Sequence, residues 1–363
     1  MRNRFHSLCP YFAMFPEAFV EAWVSRLTKP RDVVYDPFCG RGTAPFQALL
    51  MNRRAIGNDI NAVAYCVTKA KTNAPDLEHV EQRLDLLEAG FDMARWEDAA
   101  SSHPEFFSYA FAPETFKQLL YLRDSLHWSA SDLDCMIAAV VLGILHGDVK
   151  SRSYLSNQMP RTISTKPSYS IRYWKLHELR APVRDVFSLV RQKLLYRYQD
   201  RLPPERATIF HGGMRNLPRQ KDEMPGPIRF AITSPPYLDT TSFEEDQWLR
   251  LWFLGYEPFP TRGRVSSDDR HSTPTSYWRL ITDMWRSFSL VLDSDADVVV
   301  RLGVRGMTPN QVAEVLEGAA VVTRRPIKLL SFEESPMRKR QTNAFRPGSM
   351  GLRTEIDCHF RMK

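Results

Sequence analysis

Cysteine is scarce in this sequence: there are five in 363 residues, Cys9, Cys39, Cys66, Cys135 and Cys358, with no CxxC pair among them. That scatter argues against a zinc site and a disulfide framework, so no metal is expected, and it fits a reducing cytoplasm. Long apolar runs are missing too. The longest, Met136 to Leu145, is about half the roughly 18–20 residues of a membrane span and reads as a buried helix. The opening stretch MRNRFHSLCPYF lacks the apolar core of a signal peptide. No internal repeat or low-complexity tract interrupts the chain. What remains is the composition of a soluble globular protein, 43% hydrophobic and 25% charged. The chain is long enough for two domains, or for one large domain with an insertion.

Acidic residues thin out in one place. Between positions 141 and 230 there are 17 Lys/Arg and 7 Asp/Glu, a local net of +10 in a chain whose total is +7. The rest therefore nets −3, and the whole basic excess sits in one quarter of the sequence. A solvated helical face explains such a run as readily as a surface for a polyanion, and charge alone does not choose between them.

Strands and helices alternate at both ends of the chain. FPEAFVEAWVSRL (15–27) has helical apolar spacing. Val33–Tyr35 reads as a strand, Pro45–Met51 as a helix and Ala55–Asn58 as a second strand, which makes a right-handed βαβ unit. From about 76 to 205 the strand signals fade and four helical patterns follow one another. The third is capped by Ser131 or Asp132 and ended by Gly147. Strands resume at 207–210, 229–233, 296–302 and 326–330, with a helix at QVAEVLEGAA and an alternating final strand, TEIDCHFRM (354–362). The expected fold is α/β, a doubly wound, mostly parallel seven-stranded Rossmann-like sheet with a long helical insertion between its second and third strands. The expected domains are 1–75 with 206–363, and the insertion at 76–205.

Two short stretches carry chemistry. The first is Asp36-Pro37-Phe38-Cys39-Gly40-Arg41-Gly42-Thr43, between a strand and a helix, with Asp59 at the end of the next strand. Gly40 and Gly42 let backbone approach a ligand closely, and a carboxylate at Asp59 can take both hydroxyls of a ribose. The loop is no P-loop, because no GK[ST] follows, and Pro45 replaces the third glycine of a dinucleotide fingerprint. The second stretch is Thr233-Ser234-Pro235-Pro236-Tyr237. An exocyclic amine on a base is a poor nucleophile, because its lone pair is delocalised into the ring. It needs fixed hydrogen-bond acceptors, and the Pro235 carbonyl and the Ser234 side chain are of that kind. The prolines stiffen the turn, and Tyr237 offers a ring for an extruded base.

Together these stretches resemble motifs I, II and IV of the S-adenosylmethionine-dependent amino-group DNA methyltransferases. The resemblance covers roughly 1–75 and 205–363, in the motif order X, I, II, IV. It implies that Asp36, Pro37, Phe38, Cys39, Gly40, Gly42 and Thr43 hold the methionine part of S-adenosylmethionine. It further implies that Asp59 takes the ribose, Ile60 lies against the adenine and Thr233 joins the cofactor site. Tyr11, Phe12 and Met14 would form the motif X that packs on the methionine moiety. Ser234, Pro235, Pro236 and Tyr237 would be catalytic. One departure stands out: family members often carry an acid after the third strand, and here the turn is His211-Gly212-Gly213-Met214-Arg215.

The resemblance implies double-stranded DNA as the partner and base flipping as the means of access. Serine at the head of motif IV favours cytosine N4 as the target. Adenine N6, guanine N2 in RNA and a non-catalytic nucleic-acid-binding module are the alternatives. It also leaves open a restriction-modification setting with a cognate restriction endonuclease. The insertion interleaves Arg and Lys with Tyr and Trp, so Arg152, Tyr154, Asn157, Gln158, Arg161 and Lys166 are candidate DNA contacts. Arg338, Lys339 and Arg340, in a second basic loop, are others.

Overall fold

The computed structural model describes residues 2–11, 15–148, 153–156, 158–238, 242–264, 273–303, 306–336 and 354–363. The chain opens with α1 (Glu17–Leu27), β1 (Val33–Asp36), α2 (Thr43–Leu50) and β2 (Arg54–Asp59). A helical stretch follows: α3 (Ala62–Thr72), α4 (Leu77–Ala89), α5 (Glu97–Ser101), α6 (Glu105–Ala110), α7 (Pro113–Ser125), α8 (Asp132–Ile144), α9 (Pro167–Leu176) and α10 (Val186–Arg197). Then come β3 (Thr208–His211), β4 (Ile228–Thr233), α11 (Phe243–Asp246), α12 (Trp248–Phe253) and α13 (Pro274–Val291). The last elements are β5 (Leu292–Leu302), α14 (Pro309–Ala320), β6 (Ile327–Pro336) and β7 (Thr354–Met362).

Seven strands form one sheet in the order β3-β2-β1-β4-β5-β7-β6. The first five are parallel, and β7 runs antiparallel to both neighbours. This is the expected α/β, Rossmann-like sheet, with α3 to α10 inserted between β2 and β3. Side chains alternate across the strands, and each face has its own core. Val33 and Tyr35 join α13 and α14 on one face, whereas Val34 joins α1 and α2 on the other. Helix α13, absent from the reading of the sequence, buries Tyr277, Leu280, Ile281, Met284, Trp285, Phe288 and Val291. Those positions repeat at i+3 and i+4, so the signal was present.

Two compact units make up the chain. One is Met1–Tyr11, Asn61–Leu202 and Ser242–Ser266; the other is Phe12–Ile60, Pro203–Thr241 and Ser267–Lys363. The helical unit is thus larger than the expected 76–205. It gains α3, α11 and α12, because the apolar faces of these helices pack on helices rather than on the sheet. In α12, Trp248 and Trp252 meet Phe106 and Phe107 of α6, with ring centroids 4.8 and 4.6 Å apart. Ser131 caps α8 as expected, accepting from the Asp134 N–H at 3.2 Å. The helix stops at Ile144, before Gly147, whose N–H instead donates to the Ser156 carbonyl at 2.8 Å. A Cβ on Gly147 would lie 2.1 Å from the Tyr154 ring.

Arg250 is fully buried in the middle of α12. Its guanidinium donates to the carbonyls of Leu142 (2.9 Å) and Arg161 (2.7 Å) and to Gln247 Oε1 (2.6 Å). Gln247 and Trp248 in turn donate to the carbonyls of Thr162 and Thr165, each at 3.0 Å. The backbone of the basic segment before α9 is therefore fastened to α12 within the helical unit. Arg250→Ala leaves several buried carbonyls unpaired and is expected to cost about 3 kcal/mol or more in urea denaturation. Arg250→Lys recovers only part of that, because an ammonium cannot span the same acceptors.

Candidate active site

The glycine loop sits at the carboxyl end of β1, where open parallel sheets bind ligands. Gly40 has φ 52° and Gly42 φ 73°, both in the left-handed region that favours glycine. Gly42 is also the residue before α2, so the loop feeds straight into a helix N-terminus. The Gly40 N–H donates to Asp59 Oδ2 at 2.8 Å, which ties the loop to the end of β2. Gly57 in β2 is a residue the motifs did not point to. A Cβ there would lie 3.0 Å from Ile209 Cδ1 and 3.3 Å from Cys39 Sγ, so the loop needs its bareness.

Asp36 is the most constrained carboxyl in this loop, with 1% of its surface exposed. Its Oδ1 accepts from the Phe38 N–H (3.1 Å) and from the Thr233 hydroxyl (2.6 Å). Its Oδ2 is buried and has no hydrogen-bond partner among the described residues. Burial pushes the carboxyl up from 3.8 to about 7, against the lowering effect of the Thr233 and Phe38 bonds. A buried carboxyl with an orphaned oxygen is a ready partner for a ligand cation. The residues present therefore fit the α-ammonium of an amino-acid moiety at Asp36, and hydroxyls at Asp59.

Thr233 ends β4, the neighbour of β1, and is followed directly by Ser234. The Ser234 hydroxyl donates to Tyr237 Oη at 3.3 Å, and Tyr237 Oη donates to Glu355 Oε1 at 2.8 Å. Pro235 is buried, while Pro236 and the Tyr237 ring are half-buried, the ring packing against the sheet core. Burial, and then the Glu355 carboxylate, push the Tyr237 phenol well above its ordinary range, so it stays protonated. Behind Glu355 stands Arg301 of β5, 3.5 Å away and almost fully buried. Arg301 grips Asp357 with two bonds of 2.6 and 2.7 Å and lies over the Phe19 ring at 3.8 Å. Glu355, Asp357 and Arg301 were missed in the sequence. The available signal was an ionisable residue at every second position of β7, from Glu355 to Arg361.

The structure brings Asp36, Pro37, Phe38, Cys39, Gly40, Gly42, Thr43, Asp59, Ile60, Thr233, Ser234, Pro235, Pro236 and Tyr237 into one unit. Tyr11 belongs to the helical unit, where its ring stacks on Phe243 with centroids 6.0 Å apart. Phe12, Met14, Arg152, Asn157, Arg338, Lys339 and Arg340 lie outside the described residues. The turn after β3 is correctly aligned, since His211 pairs with Asp59. Its lack of a carboxylate is therefore real, and the Asn58 side chain donates to the Gly212 carbonyl at 3.0 Å there instead.

Of the expected nucleic-acid contacts, Arg161 and Lys166 are exposed. Tyr154 packs over Gly147, and the Gln158 amide is buried with no partner among the described residues. Helix α9 adds exposed Tyr169 and Tyr173, stacked at 6.2 Å, with the His177 ring 4.3 Å beyond Tyr173. All five cysteines are buried thiols, and none is in a disulfide. Among the described residues no helix is long and apolar enough to cross a membrane.

A family model described as DNA methylase (N6_N4_Mtase) matches residues 2–69. No curated protein matches the chain. Among solved structures the chain is similar to TrmN from Thermus thermophilus, at 9% identity and a TM-score of 0.36, covering 99% of this chain and 52% of that one. It is thus about half that protein's length. It is also similar to the rRNA methyltransferase aviRa from Streptomyces viridochromogenes, at 14% identity and a TM-score of 0.35, covering 99% and 94%. Likenesses this distant carry no argument about substrate. The family-model match, on a sheet of this order, supports a methyltransferase that uses S-adenosylmethionine.

Proposed function

We propose that the protein methylates the exocyclic N4 amine of a cytosine flipped out of double-stranded DNA, with S-adenosylmethionine as methyl donor. One observation carries this reading: Thr233 bonds Asp36 at 2.6 Å, so the loop that fits the cofactor and the turn that fits the amine are adjacent. When bound, S-adenosylmethionine supplies a sulfonium methyl; on its transfer to nitrogen the C–S bond breaks onto sulfur and one N–H proton is released. Asp36 pairs with the cofactor's ammonium, Asp59 holds its ribose, and Ile60 lies beside its adenine. Gly40 and Gly42 let the backbone close on the methionine part.

Ser234 Oγ and the Pro235 carbonyl accept the two amine hydrogens and direct the nitrogen lone pair at the methyl group. Tyr237 supports Ser234 through its hydroxyl and borders the base with its ring. The motif's serine favours cytosine over adenine. Arg161, Lys166 and the Tyr169–Tyr173 pair of α9 provide cations and rings suited to phosphates and bases, which supports the helical unit as the DNA-reading part. A restriction-modification role accords with site-specific methylation of this kind.

The test is direct. Labelled S-adenosylmethionine is incubated with the protein and either genomic DNA or total RNA, and the product is digested to nucleosides. Label is expected on N4-methyldeoxycytidine. Label on N6-methyladenine or in RNA refutes the substrate assignment. Cofactor bound with no label transferred would identify a binding module.

A further inference from the structure

The chain of hydrogen bonds behind Ser234 has a direction, and that direction has chemical meaning. A serine hydroxyl can donate one proton and accept two. Here its proton goes to Tyr237 Oη, and the Tyr237 proton goes to Glu355 Oε1. A carboxylate accepts only, so it fixes the sense of every bond that leads to it. We propose that Glu355 is a positioning residue that commits the Ser234 hydroxyl to donate inward, so that Ser234 presents only acceptor lone pairs to the target amine. The inference rests on the reading of Ser234 as the acceptor for that amine.

The surroundings support this sense. Arg301 Nη1 lies 3.5 Å from Glu355 Oε2 and keeps a positive charge beside it. Asp357 occupies the other side of the same guanidinium, and Ser335 of β6 bonds both Arg301 (3.1 Å) and Asp357 (3.1 Å). Ser335 also faces Glu355 across the β6–β7 ladder. Arg301 is itself held against the Phe19 ring. Three strands and α1 therefore hold one carboxylate at the far end of a three-residue chain whose near end is the catalytic serine. The Tyr237 phenol, kept protonated by burial and by Glu355, does not break the chain at Glu355 by losing its proton. Without the carboxylate, the Tyr237 proton can turn to Ser234, and the serine proton then points at the amine it should be accepting from.

The test uses Glu355→Leu, which leaves no acceptor, Tyr237→Phe and the double variant in the full chain. In ligand-free protein carrying fluorotyrosine, the fluorine resonance that disappears in Tyr237→Phe identifies Tyr237, and Glu355→Leu is expected to shift it. In turnover, each single change is expected to lower kcat by about tenfold to a hundredfold, the range for loss of an orienting outer partner. KM for DNA and the affinity for S-adenosylhomocysteine should stay within about twofold of wild type. The double variant should be no slower than the slower single one, because both changes break the same chain. A resonance that does not move shows that the chain is not formed, and an unchanged kcat or losses that multiply show that it does not act as one. Either result overturns the inference. A wild-type protein that methylates no nucleic-acid amine overturns the proposed function and this role with it, while the resonance still reports whether Tyr237 and Glu355 are joined.

Discussion

Asp36→Asn produces a protein that melts at a higher temperature above neutral pH yet fails to hold S-adenosylmethionine. Both effects follow from one buried carboxyl. In the ligand-free fold its pKa is raised from 3.8 to about 7. Between those values the folded state carries a proton that the unfolded state has lost, so stability falls as pH rises from about 4 to about 7. Above that range the ionised group costs the fold about 4 kcal/mol. The asparagine amide removes that cost and keeps an oxygen for Thr233. The same change deletes the charge meant for the cofactor's ammonium. Loss of one partner of a buried pair costs about 3–5 kcal/mol, or roughly two to nearly four orders of magnitude in Kd. Calorimetric titration and thermal melts at pH 6 and pH 8 measure both. In wild type, affinity should weaken as pH drops below about 7, because the proton competes with the cofactor. A variant that binds normally, or wild-type affinity that is flat across this range, refutes the pairing.

Ser234→Ala separates binding from chemistry in the opposite way. The hydroxyl touches neither Asp36 nor Asp59, so cofactor affinity should stay within about twofold of wild type. Methyl transfer should fall by about 10²–10³, the loss typical when one preorganised hydrogen-bonding group is removed from a reacting centre. Tyr237→Ala should do the same, with an added loss of stability because its ring packs on the sheet core. Single-turnover transfer from labelled cofactor gives the rate, and equilibrium binding of S-adenosylhomocysteine gives the affinity. If either change abolishes cofactor binding, the division of labour between the glycine loop and the Ser-Pro-Pro-Tyr turn is wrong.

The parts legible in the sequence were those written locally. The β1 loop, the β2 acid and the Ser-Pro-Pro-Tyr turn each depend on residues a few positions apart, and the alternation of strands and helices gave the sheet. The Glu355–Arg301–Asp357 group was not legible, because it depends on register between strands far apart in the chain. Arg301 stands opposite Asp357 only once β5 and β7 are aligned antiparallel. The unit boundary was misplaced for a related reason. The α12 segment follows the Ser-Pro-Pro-Tyr turn in sequence, but its tryptophans pack on α6, and contiguity says nothing about which core a helix joins. Arg250 was hidden among the apolar residues of α12, where a single cation reads as an exposed position rather than as a fastener of carbonyls.

The bond between Thr233 and Asp36 also bears on how the molecule folds. It joins residues 197 positions apart, and the β1–β4 pairing at the middle of the sheet closes a loop of the same length. Entropy makes such a closure slow, whereas the packing of α3 on α8 and of α4 on α10 closes shorter loops, 106 positions for the Arg191–Asp85 ion pair. The helical unit should therefore collapse first and shorten the flexible chain left to be closed. The glycine loop and the Ser-Pro-Pro-Tyr turn then meet only when β4 docks on β1, so their adjacency marks the completion of the sheet rather than the appearance of secondary structure.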